Sequence, residues 1–260
     1  MNLFTKKQEG QAPRRLGCLG KTLVGIGIYF LVCAIIGWMM GDAFSTPATV
    51  IEENTIYRID MSGVVVEQAA EADPWSGVMA ELSGKNMESE IGLDDLLSNI
   101  ALAKNNDKIL GIYLKGGSLS VSPASAKALR DALIDFKQSG KFVIAYTDSY
   151  SQMNYYIASV ADKVYLNTVG SLAWDGLSAE KMYFTRLLEK VGVEMQILKV
   201  GTFKSAVEPY FLTAMSDEDR KQTEQYLNGI WEELKSSVSA SRGMSAEQLN
   251  AYADECMSLQ

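Results

Sequence analysis

The sequence predicts an α/β fold with a parallel sheet, preceded by one transmembrane helix. Three observations carry this expectation. From Ile91 onward, helix-like and strand-like segments alternate; Ile109-Leu-Gly-Ile-Tyr-Leu114 is almost continuously apolar; and the run from Thr22 to Gly41 contains no charge. Alternating strands and helices imply parallel strands joined by right-handed crossovers. A strand covered on both faces reads as an unbroken apolar segment.

Residues 1–21 form a basic tail, with Lys6, Lys7, Arg14, Arg15 and Lys21 against the single acid Glu9. At 1.5 Å per residue, about twenty apolar residues span the roughly 30 Å hydrocarbon core as one helix, which assigns 22–41 as an anchor. Cations before the run, with Asp42, Glu52 and Glu53 after it, orient the N-terminus to the cytoplasm and the main domain outside. The run is longer than a cleavable signal core and ends on the bulky Trp38-Met39-Met40, which favours an uncleaved anchor. Gly20-Lys21-Thr22 lacks the preceding glycine and strand of a phosphate-binding loop.

Residues 42–54, with Pro47, read as a linker, and 55–260 as a single α/β repeat. Thr55-Ile-Tyr-Arg-Ile-Asp60 alternates as a strand does, and Gly63-Val-Val-Val-Glu67 continues it. Residues 68–90 are polar and punctuated by Gly and Pro, the pattern of a long mobile loop. The expected order is then helix 92–104, strand 109–114, helix 122–139, strand 141–146, helix 150–160, strand 163–167, helix 179–191 and strand 193–198. Gly140 and Gly192 stand where helices need a left-handed terminating residue. Ser216-Asp-Glu-Asp219 opens a helix carrying Leu227, Ile230, Trp231, Leu234 and Val238 at helical spacing, with Trp231 as a core anchor. Gly243 ends that helix, and Ser245-Ala-Glu-Gln248 caps another.

Composition narrows the chemistry. The chain contains no histidine, so a Ser-His-Asp or Cys-His arrangement cannot be completed from it, and histidine-ligated zinc is excluded. No metal site and no organic cofactor are expected. Cys18 and Cys33 lie in or beside the apolar run, leaving Cys256 alone beyond it, so the fold needs a core rather than disulfides. Beyond residue 41 there are 19 cations and 31 anions, a net of −12, which argues against nucleic-acid partners.

With histidine absent, lysine is the natural base for activating a hydroxyl. Lys199-Val-Gly-Thr-Phe-Lys-Ser-Ala-Val-Glu-Pro-Tyr210 sets Lys204 among Val200, Phe203 and Val207. A solvated ammonium titrates at about 10.4, and apolar surroundings disfavour the charged form. Ser205 follows Lys204 directly, and adjacent residues of an extended segment point to opposite sides, so these two make a poor dyad. Glu208 beside Lys204 would favour the ammonium, so Glu208 is expected to serve structure or point elsewhere.

This stretch resembles the lysine motif in the first half of the long-form signal peptide peptidase A (protease IV) family, serine proteases that use a Ser-Lys dyad. Tyr146-Thr-Asp-Ser-Tyr-Ser-Gln-Met-Asn-Tyr-Tyr-Ile-Ala-Ser159 and Ala161-Asp-Lys-Val-Tyr-Leu166 are also similar to that family's pattern. The resemblance implies a crotonase/Clp-protease-like spiral of βαβ units, Lys204 as general base, and a membrane-anchored endopeptidase that degrades cleaved signal peptides. It implies the bacterial inner membrane as location, peptide substrates, a homo-oligomer, and a second, C-terminal repeat that 55–260 lacks.

In that fold the loop after a strand often offers backbone N–H groups to an oxyanion, which singles out Gly116 and Gly117 within Lys115-Gly-Gly-Ser-Leu-Ser120. The alternative is an ordinary strand-to-helix turn, with Ser122 as cap and Pro123 at the first helical position. Aligning Tyr155-Tyr156 with the aromatic pair of the catalytic half puts Gln152 where that half has its serine. Glutamine cannot attack a carbonyl. Ser149 and Ser151 are expected to cap the helix rather than to serve as nucleophile. The chain is therefore expected to hold the lysine and no nucleophile, and to be inactive alone. Two other readings stay open: a non-catalytic, membrane-bound assembly or regulatory subunit, and a crotonase-like acyl-CoA enzyme sharing the fold.

Overall fold

A computed structural model describes residues 25–37, 50–69 and 89–255. The chain divides into two units, residues 1–50 and 51–260. In the first, 25–37 is helical (α1). Among the described residues no helix is long and apolar enough to cross a membrane. The rest of the predicted anchor, at 22–24 and 38–41, lies outside the described residues.

The second unit is built on a five-stranded parallel sheet in the order β2-β1-β3-β4-β5. The strands are β1 (Thr55–Val66), β2 (Glu90–Gly92), β3 (Ile109–Ser120), β4 (Phe142–Tyr150) and β5 (Lys163–Leu172). Helices α2 (Leu93–Asn105), α3 (Pro123–Lys137) and α4 (Gln152–Ala158) connect successive strands, as the alternation predicts. Further along come α5 (Thr185–Val191), a 3₁₀ turn at Ser205–Tyr210, α6 (Asp217–Arg242) and α7 (Ala246–Asp254).

The core follows from the sequence pattern. Ile112 and Leu114 of β3 and Val143 and Ala145 of β4 are buried under Leu129, Leu133 and Phe136 of α3 and Ile157 of α4. Full burial of each large aliphatic side chain contributes about 1.5–3 kcal/mol. Neighbouring helices pack in succession, α2 on α3, α3 on α4, α4 on α6 and α6 on α7. Leu234 and Val238 of α6 and Leu249 of α7 join the same core. Trp231 is half-buried against Trp174, with ring centroids 5.2 Å apart, and donates to Asn250 Oδ1 at 3.0 Å, in keeping with an anchoring role.

The expected helix boundaries hold where a cap fixes them. Ser122, Ser216 and Ser245 each accept a backbone N–H three residues on, and Ser245 with Gln248 completes a capping box. Gly192 and Gly243 end α5 and α6 in the left-handed region, where a Cβ would be strained.

Four expectations need correction. β3, β4 and β5 run well beyond Leu114, Tyr146 and Asn167. A short strand, β2, was not anticipated; it pairs with the end of β1 through Val64 and Glu90. The helix expected at 179–191 begins only at Thr185. The strand expected at 193–198 does not form. Its alternation needs a neighbouring strand to bury one face, and here Val193 and Met195 are exposed while Leu198 is fully so.

Arg130 ties three helices together. It is 2% exposed and donates to Tyr156 O and Ser159 Oγ around α4 and to Ser237 O and Ser241 Oγ of α6. Arg130→Met strands those acceptors in the core, and we expect a loss of roughly 3–5 kcal/mol, read as a lower urea midpoint. Arg130→Lys should recover only part, because an ammonium cannot fan across four acceptors. An unchanged midpoint for the methionine variant contradicts this role.

Candidate functional site

Two concave surfaces carry the residues singled out by the sequence. The first arises where β3 and β4 part. Their ladder runs from Gly111↔Phe142 to Lys115↔Tyr146 and stops there. Beyond it, β3 continues beside β1 through Met61↔Gly116 and Val64↔Ser120, while β4 continues beside β5 through Thr147↔Leu166 and Ser149↔Ser171. The opening, about 390 Å³, is lined by Gly116, Gly117, Ser118, Leu119, Thr147, Asp148 and Ser149, with Ser151 and Asn154 at the start of α4.

Gly116 and Gly117 therefore lie in a strand rather than in the loop expected for them. The physical reason is close approach. A Cβ at Gly116 would fall 2.0 Å from Thr147 Cβ, and one at Gly117 would fall 1.9 Å from Ser62 Oγ. Glycine is required there by the backbone's neighbours. Ser122 and Pro123 cap and open α3 as the alternative reading held.

At the start of α4, Ser151 accepts from Asn154 N at 3.3 Å and so caps the helix. Ser149 does not cap; its hydroxyl pairs with Ser171 Oγ at 3.1 Å. Gln152 is committed to the chain itself. Its Oε1 accepts from Asp175 N at 3.0 Å and Gly176 N at 2.9 Å, and its Nε2 donates to Gly176 O at 3.0 Å. At the position that the resemblance matches to a nucleophile stands an amide clamping a tight turn, whose Gly176 has φ +78°. Asp148 accepts from Asn167 Nδ2 at 2.7 Å and from Tyr146 OH at 3.0 Å, and these bonds hold its carboxyl below the usual range.

The second surface, an open groove of about 590 Å³, contains Lys204. Leu198, Lys199, Val200, Phe203, Ser205, Ala206, Val207 and Gln222 line it with the lysine. The structure thus brings Lys204 together with Val200, Phe203 and Val207, as expected. It does not enclose the amine: Lys204 is exposed, and Val200 is 90% so. That corrects the expectation of an apolar enclosure within this chain. Among the described residues, none lines both the groove and the cleft.

The segment carrying Lys204 is held from behind by two buried carboxylates. Glu208, 1% exposed, accepts from Ser216 Oγ at 2.8 Å and pairs with Lys199 Nζ at 3.4 Å, so it turns away from Lys204. Asp219, 2% exposed, accepts from Lys181 through both carboxylate oxygens, and its backbone N–H donates to Ser216 Oγ at 3.2 Å. Burial pushes the Asp219 carboxyl up, but the hydrogen bonds and charge of Lys181 outweigh it and leave the carboxyl below its usual value. Sequence reasoning missed Lys181, Asp219 and Asn154. The first two are far apart in the chain, and Asn154 is distinguished only as a polar residue buried on an apolar helix face. Among the described residues no group of His, Cys, Asp and Glu could hold a metal.

Comparisons with known proteins give the class first: residues 135–258 match Peptidase family S49. Protease 4 of Haemophilus influenzae is 35% identical over 232 residues, covering 87% of this chain and 37% of that protein. Protease 4 of Salmonella typhi is 30% identical over 231 residues, covering 86% and 37%. Those matches support assigning the chain to the signal peptide peptidase A family. The chain spans little more than a third of the length of these two relatives. Among solved structures, a point mutant of the 1510-N membrane-bound stomatin-specific protease matches with a TM-score of 0.42 at 13% identity, covering 80% of this chain and 73% of its own.

A depressed native carboxyl stabilises the fold above its unfolded value, about 3.9 for aspartate, and loses that contribution as pH falls through the lower native value. Asp219→Asn is therefore expected to destabilise the protein at pH 7 by about 1–3 kcal/mol. The gap from wild type should narrow as pH falls below the unfolded value and on through the lower native one. Thermal melts across pH check this; a gap independent of pH removes the carboxylate from the account.

Proposed function

We propose that this chain is the lysine-bearing half of a membrane-anchored serine endopeptidase that degrades cleaved signal peptides and other short apolar peptides. Lys204 is its general base, and the nucleophilic serine comes from outside residues 1–260. The observation that carries the reading is that Lys204 lies on an open apolar groove while the position matched to the nucleophile holds Gln152, engaged elsewhere by its own chain. Covering the groove with the serine-bearing segment excludes water, favours the neutral amine and brings the serine hydroxyl to it.

The neutral Lys204 amine takes the serine proton as Oγ bonds to the peptide carbonyl carbon. The tetrahedral intermediate expels the amine of the scissile bond, which leaves with the proton from Lys204. Water then releases the acyl group, again with Lys204 as base. No metal or cofactor enters. Residues 22–41 anchor the chain in the bacterial inner membrane, with the N-terminus cytoplasmic and residues 55–260 extracytoplasmic, and the assembly is a homo-oligomer.

The exposure of Lys204 also suits a second reading, a non-catalytic assembly or regulatory subunit. The two separate as follows. The chain alone should neither cleave casein nor take up a fluorophosphonate probe at Ser149, Ser151 or Ser205; labelling overturns the half-site. Assembled with the serine-bearing segment, it should cleave, and Lys204→Ala should lower kcat roughly 10²–10⁴-fold. Full activity of that variant leaves the subunit reading.

A further inference from the structure

We propose that the cleft between the diverging ends of β3 and β4 binds short extended peptides that carry an ammonium group, whether an α-amino group or a basic side chain. The proposal deepens the peptidase reading and rests on peptides being the substrate class. It concerns a site distinct from the Lys204 groove.

The cleft is shaped for a main chain. It is bounded by two strand ends whose mutual ladder has stopped, and on its β3 side Gly116 and Gly117 present bare main chain beside Ser118 and Leu119. An extended peptide approaches such a surface more closely than it approaches one of branched residues. Its volume, about 390 Å³, lies within the range of small-ligand sites.

The polar groups select the ligand. Asn154 lines the cleft, is 5% exposed, and donates through Nδ2 to Gly117 O at 2.8 Å. That bond fixes the orientation of the amide, since the flipped form would set two acceptors against each other. Asn154 Oδ1 is then left buried without a partner. An unmet buried acceptor costs about 1–3 kcal/mol, which a peptide N–H recovers. Three of the lining hydroxyls are engaged: Ser151 caps α4, Ser149 pairs with Ser171, and Thr147 Oγ1 donates to Ser149 O.

Charge adds a second criterion. Asp148 is the charged residue among those lining the cleft, and its bonds from Asn167 and Tyr146 keep it ionised. An anionic ligand meets no cation among the lining residues. A ligand that donates at one end to the Asn154 amide and presents an ammonium to Asp148 satisfies both acceptors.

The test is fluorescence anisotropy on the full 260-residue chain in detergent, with Lys-Ala-Leu-Ala-Leu-Ala labelled at its C-terminus. Its control is the N-acetylated peptide with norleucine for lysine. Saturable binding of the cationic peptide is expected, with the uncharged control roughly tenfold weaker. Asp148→Asn should abolish that difference, and Asn154→Ala should weaken both peptides roughly tenfold. Equal affinity for the two peptides, no saturable binding up to about millimolar concentration, or variants that bind like wild type overturns the proposal. So does spermidine binding where neither peptide binds. Asp148 is exposed, so its variant remains a test even if Asn154→Ala does not fold. Since no cleavage is measured, a negative result removes this site and leaves the Lys204 reading standing. Loss of the Lys204 reading likewise leaves the binding result intact.

Discussion

The fold turns on the close approach of β3 to the strands beside it. At Gly116 and Gly117 there is no room for a Cβ on either side, Thr147 standing against one and Ser62 against the other. β3 can therefore stay beside β1 after its ladder with β4 has ended, and β4 can go on beside β5. That separation makes the cleft and fixes the place from which α4 starts. A larger side chain at either glycine would have to push a neighbouring strand aside, and the alignment of α4 with it.

From that geometry two further restraints follow. The first turn of α4 is satisfied internally: Ser151 caps it, and Gln152 spends both ends of its amide on the Gly176 turn. A side chain so engaged is a bracket between helix and loop. The lysine segment, by contrast, is fastened from its inner side by Glu208 and Asp219, through Ser216, Lys199 and Lys181, while its outer side remains open. Buried carboxylates are tolerated there because each meets a cation, Glu208 also accepting from Ser216. The chain thus presents Lys204 firmly without enclosing it, a geometry that suits completion by another segment.

Most of the architecture was legible because it is written in local signals. The apolar run at Ile109–Leu114, the serine caps at 122, 216 and 245, and the glycines at 192 and 243 each act within a few residues. What was not legible depends on partners distant in sequence. Leu198 and its neighbours alternate like a strand, yet among the described residues no strand lies beside them to make them one. Lys181 and Asp219 look like solvated charges until the fold brings them together. Gly116 and Gly117 suggested a loop because the sequence does not show that Thr147 and Ser62 will crowd them. Lys204 was recognisable from its motif, whereas its exposure follows from what does and does not cover Val200 and Phe203.

The central claim is that the Lys204 groove is an open half-site closed by the segment that brings the serine. The direct measurement is the rate of reductive methylation of Lys204, followed by mass spectrometry on the chain alone and on its assembly with a serine-bearing segment. The account predicts ready modification of the isolated chain and strong protection in the assembly, with Lys108 and Lys163 reacting alike in both. Equal modification of Lys204 in the two states would contradict it.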